Sequence, residues 1–151
     1  MDPVVAARQG FFSLIAGVVF GAGWWAFFDG IGYGVAFAND DASRAAQGYA
    51  WLPLFGATIA FVMINAMMWS ELRDNERAPT VAAKARIFLL VALFVMMASI
   101  AGAAFIMVDK FLARNGTYQW AGISVLVGTL LVSLATFVMR FGTVPVGVEN
   151  M

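Results

Sequence analysis

The chain has 151 residues, nine basic and nine acidic, and 62% of it is hydrophobic. A soluble domain carries roughly 45–50% apolar and about 25% charged residues; here 12% are charged and mean hydropathy is +0.84, which excludes a water-soluble domain and a disordered chain alike. Zero net charge excludes the basic footprint of a nucleic-acid binder, and the absence of cysteine and histidine removes disulfides, thiolate nucleophiles, Ser–His catalysis and the commonest zinc and haem ligands.

The charges leave four uncharged stretches, at 9–28, 45–70, 87–108 and 115–139, of 20, 26, 22 and 25 residues. Crossing a bilayer takes about 20 apolar helical residues. The runs do not alternate polar with apolar, as a spanning strand would, and a helix satisfies its own backbone in lipid. The expectation is a single-domain, all-α integral membrane four-helix bundle with spans near 11–28, 49–69, 87–108 and 118–139.

The first apolar run is longer than a signal-peptide core, so it is read as a retained membrane helix. It carries Gly17 and Gly21, a four-residue step of small residues, and ends at Trp24, Trp25 and Asp29. Gly30, Gly32 and Gly34 follow and are expected to end the helix and form a turn leading to an acidic segment with Asp40 and Asp41. The second span holds Gly56 and Ala60, a second small-residue step, and Asn65, the most polar side chain well inside any span. An amide in lipid needs a hydrogen-bond partner, so Asn65 is expected to link two helices or to contact a partner protein.

A connection of mixed charge over 71–77 reads as a solvated face, and after Pro79 a cap at Thr80 is expected to start a helix running into the third span. Lys84 and Arg86 reach toward headgroups there. The third span carries the small-residue step Ala98 to Gly102, the fourth Ser124 to Gly128. Such steps permit close backbone approach between helices in lipid. Ser99, Thr129 and Ser133 are weaker candidates for interhelical links because hydroxyls bond their own backbone. Asn115-Gly-Thr117 is a glycosylation motif in a loop too short to be expected to carry a glycan. Trp24, Trp25, Asp29, Arg86 and Arg140 are read as interface anchors, since indoles and border charges favour the headgroup level.

Six Lys and Arg flank the ends shared with the two termini and three flank the opposite ends, which predicts both termini in the cytosol. No acid or base lies deep in a span, and no catalytic, cofactor-binding or metal-binding set can be assembled, so the chain is read as a non-enzyme.

Several segments together resemble a known family: Gly17 to Asp29 with its double tryptophan, Gly56 to Ala66 with Met-Ile-Asn-Ala, Ala85 to Val91, and Phe137 to Gly142. They look like the transmembrane protein 50 family (uncharacterised protein family 0220), which includes the fungal vacuolar protein sorting protein 68. Animal members carry N-terminal cysteines that this chain lacks. The resemblance implies a four-span endomembrane protein of the late endosome, vacuole or endoplasmic reticulum. It also implies a non-catalytic role in endosomal and vacuolar sorting, with a small four-span partner resembling vacuolar protein sorting protein 55. Trp24, Trp25, Asp29, Asn65, Arg86 and Arg140 match the family pattern, and the resemblance supplies no chemical role for any of them. The alternative readings are a small transporter or channel component, or an accessory subunit of a larger membrane complex. Membrane lipid is the other expected partner.

Overall fold

A computed structural model describes residues 3–37, 41–67, 79–112 and 119–143. They form α1 (Pro3–Phe37), α2 (Asp41–Ala66), α3 (Pro79–Ile106), a π-helical turn (Met107–Leu112) and α4 (Gln119–Gly142). All four helices contain a stretch long and apolar enough to cross a membrane, so the fold is an all-α integral membrane bundle.

α1, α2 and α3 each begin several residues ahead of the predicted spans. α1 begins on Pro3, whose missing N–H costs nothing in a first turn. Ala-rich sequence carries α2 back to Asp41, ahead of its apolar span Gly48–Ala66. Pro79 is the first residue of α3, so Thr80 lies inside the first turn instead of preceding it.

The largest correction concerns Gly30, Gly32 and Gly34. They do not end α1, which continues to Phe37. Gly30 and Gly34 are buried, and a methyl group on Gly30 would collide with the Ser124 side chain of α4. Gly30 leaves room for a neighbouring helix, which is how glycine is used in membrane helices, whereas Gly32 faces outward.

Buried positions show how each helix is turned. On α2 they fall at Ala50, Pro53, Leu54, Ala57, Ala60 and Ile64; on α3 at Ala82, Ala85, Ala92, Met96, Ser99, Ala103 and Ile106. Steps of three and four, or their sum, mark one seam on α3, as in coiled-coil packing, whereas Leu54 beside Pro53 gives α2 a second buried line, toward Val125 and Val132 of α4. α4 also differs from α3: Ser124, Val125, Gly128, Thr129, Val132 and Ser133 are all buried, so it presents two adjacent faces to neighbours. The principal pairs are α1 with α4 and α2 with α3, and α2 joins the pairs through α4. Phe12 of α1 meets Gly142 of α4, so these two helices run antiparallel and their outer ends lie together.

Candidate functional site

The residues that carry specific geometry form three groups: the α1–α4 seam, the two polar links at the ends of α4, and the outward face of α1.

At the α1–α4 crossing, Gly23 and Gly128 face each other. A methyl group built on Gly23 would stand 2.9 Å from the Gly128 carbonyl oxygen and 3.0 Å from Val132 Cγ2. One built on Gly128 would stand 2.8 Å from the Gly23 carbonyl oxygen. Both obstacles include backbone, which cannot rotate aside. Phe27, fully buried, closes the seam above this point and packs edge-on to Trp51 of α2 with ring centroids 4.9 Å apart. Trp24 joins the same aromatic cluster, 5.6 Å from Phe28 and from Phe55. Trp24 is thus half-buried between helices and is not a freestanding interface anchor. Trp25, its neighbour, is 77% exposed and faces outward.

The first polar link joins α1 to α4. Trp120 Nε1 donates to Asp29 Oδ2 at 2.9 Å. Asp29 was expected at the membrane boundary, and its contact with Trp120 across 91 positions of sequence was not legible. Because the pair is exposed, its coupling is expected to be about 0.5–1 kcal/mol. A double-mutant cycle of Asp29→Ala and Trp120→Phe, read by thermal unfolding in mild detergent, measures it; strictly additive losses would contradict the link.

The second link lies at the opposite end. Arg140 is only 7% exposed and its Nη1 donates to the Met67 carbonyl oxygen at 2.6 Å. Met67 directly follows the last residue of α2, where helix carbonyls lack intrahelical donors and the helix dipole is negative. Arg140 therefore turns inward to cap α2, where the sequence suggested an anchor reaching out to headgroups. Arg86 is exposed on α3.

Asn65 does not form the expected link through its amide nitrogen. Its Nδ2 donates to the Phe61 carbonyl of its own helix at 2.9 Å. The hydroxyls behave in the same way: Ser99 donates to Val95, Thr129 to Val125 and Ser133 to Thr129, each at 2.8 Å. Each group satisfies itself one turn back. Asn65→Leu removes only that local bond, so a stability loss of about 0.6 kcal/mol or less is expected in detergent melts; a loss several times larger would restore Asn65 as an interhelical link.

The four small-residue steps separate by direction. Ser124 and Gly128 lie in the α1–α4 seam, and Gly56 opposes Ser99 at the α2–α3 contact. Ala98 and Gly102 line a groove of about 620 Å³ between α2 and α3, together with Tyr49, Pro53, Phe105 and Ile106. Pro53 cannot donate to the Tyr49 carbonyl, a local break that membrane helices tolerate. Gly17 and Gly21 point away from the bundle: a methyl group built on either would meet no other described helix within 4 Å. Among the described residues, no group of three or more acidic side chains is placed to hold a metal ion. Trp69, the segment 71–77, Arg114 and the Asn115 glycosylation motif lie outside the described residues.

Residues 2–145 match the model of an uncharacterised protein family, UPF0220. The chain is also 31% identical over 134 residues to the transmembrane protein 50 homolog of Dictyostelium discoideum, covering 84% of this chain and 85% of that one. No solved structure matches it. With four membrane-length helices, a family match over nearly its whole length and this relative, the chain belongs to UPF0220, the transmembrane protein 50 family.

Proposed function

We propose that this protein is a non-catalytic membrane subunit of endosomal and vacuolar protein sorting, related to the fungal vacuolar protein sorting protein 68. It acts by packing against a small four-span partner resembling vacuolar protein sorting protein 55, in the membrane of the late endosome, vacuole or endoplasmic reticulum. The observation that carries the reading is the outer face of α1. A methyl group built on Gly10, Gly17 or Gly21 would meet no atom of another described helix within 4 Å, and the three share one side of the helix with exposed Leu14 and Trp25. Only 17% of α1's most apolar stretch is buried, against 50% for α4. In lipid, such a face gains by close contact with another helix. The excess of Lys and Arg near both termini supports placing them in the cytosol.

The test is recovery of the partner from native membranes in mild detergent. Gly17→Leu with Gly21→Leu is expected to lower partner recovery about tenfold, the scale of an overpacked helix contact. The abundance of the protein itself should hold, because neither position meets another described helix. Undiminished recovery, or a monomer whose deletion leaves vacuolar cargo sorting intact, would contradict the proposal.

A further inference from the structure

A second cavity lies where α2 ends and α3 begins. It measures about 400 Å³ and is lined by Ala66, Met67, Val81, Lys84, Ala85 and Phe88. We propose that it binds the phosphate group of an anionic phospholipid, with Lys84 as the ligand-contacting cation. This reading does not depend on the sorting role.

Three observations converge. The pocket's single charged lining residue is Lys84, and no carboxylate lines it among the described residues. A second cation is held at the same wall, since Arg140 donates to the carbonyl of Met67, itself a lining residue. The Lys84 charge favours an anion in the cavity. The rest of the lining is apolar, with Phe88 and Val81 on α3, Ala66 at the end of α2 and Met67 just beyond it, a surface suited to an acyl chain beside the Lys84 ammonium. The depth also fits. Lys84 sits five residues into α3, about 7.5 Å along a helix axis, and α2 ends at Ala66. The cavity therefore spans the boundary between helix ends and apolar span, where headgroup phosphates lie.

Arg86 supplies an internal control. It is two residues on, about 200° around the helix, and outside the pocket. A diffuse basic belt would use both residues; a pocket uses one.

The experiment is native mass spectrometry of the full chain in mild detergent, titrated separately with phosphatidic acid, phosphatidylcholine and inorganic phosphate. Phosphatidic acid is expected to bind saturably and more tightly than phosphatidylcholine, whose choline cancels the charge. Lys84→Gln is expected to weaken it about fivefold, the size of one Lys contact with an anionic lipid surface. Lys84→Arg and Arg86→Gln should bind like the unaltered chain. Lys84 is exposed, so these substitutions leave the fold intact. Equal losses from Lys84→Gln and Arg86→Gln, no loss from Lys84→Gln, or equal binding of phosphatidylcholine would overturn the site. Displacement of the lipid by inorganic phosphate would overturn the lipid as its source.

Discussion

Gly128→Ile is expected to lower stability by about 3 kcal/mol, the upper part of the range for overpacking. The first added carbon would already stand 2.8 Å from the Gly23 carbonyl oxygen and 3.3 Å from Phe27 Cβ. Relief requires α1 and α4 to separate along the seam that runs from Gly30 and Ser124 down to Phe12 and Gly142. Dispersion contacts along the whole seam then weaken together, and lipid offers no hydrophobic compensation for helix separation. Gly128→Ala, with one carbon, should lose less. Gly21→Ile, on the outer face of α1, should change stability by about 0.5 kcal/mol or less. Thermal unfolding in mild detergent ranks the three; equal losses at positions 21 and 128 would contradict the assignment of inner and outer faces.

The second large effect belongs to Arg140. Arg140→Met removes a charge-assisted hydrogen bond from a buried carbonyl, and a loss of about 2 kcal/mol is expected. Arg140→Lys should recover part of it, since an ammonium keeps the charge but has no planar fork to hold it in place. The signature is local. Amide exchange in the last turn of α2, residues 61–67, should accelerate in Arg140→Met, because Arg140 bonds the Met67 carbonyl from 73 positions away. Unchanged exchange there would return Arg140 to the role of an anchor at the membrane boundary.

The four spans were legible because physics places charges outside the hydrocarbon, and the uncharged stretches have membrane length. Helix ends were less so. Gly30 and Gly34 read as helix breakers by the rules of water-soluble proteins, where glycine costs about 1 kcal/mol in a helix. In lipid the backbone must stay bonded, so the same glycines remain helical, and Gly30 admits Ser124. Rotation was hidden for a related reason. α1 is apolar nearly all round, so its sequence carries no polar face to mark the outside. Gly17 with Gly21 looks like a packing step as good as Gly23 with Gly30, yet only the latter meets α4. Pairing was hidden as well, because α1 packs principally on α4, its most distant helix in the chain. Asn65 illustrates the limit for polar groups: its type announced a need for a hydrogen-bond partner, and the partner is one turn back in its own helix.

α1 has two glycine faces, one committed to α4 and one turned away from the other described helices. Because the chain has no cysteine, pairs of introduced cysteines report contact without background. A methyl carbon on Gly23 would lie 3.2 Å from Leu131 Cβ, and relieving its 2.9 Å approach to the Gly128 carbonyl oxygen parts the helices slightly, toward the spacing of about 3.5–4.5 Å that a disulfide requires. Mild oxidation in native membranes is therefore expected to cross-link Gly23→Cys with Leu131→Cys within one chain and to leave Gly21→Cys with Leu131→Cys open. Cross-linking of the second pair and not the first would show that α1 is turned the other way, and the account would fail.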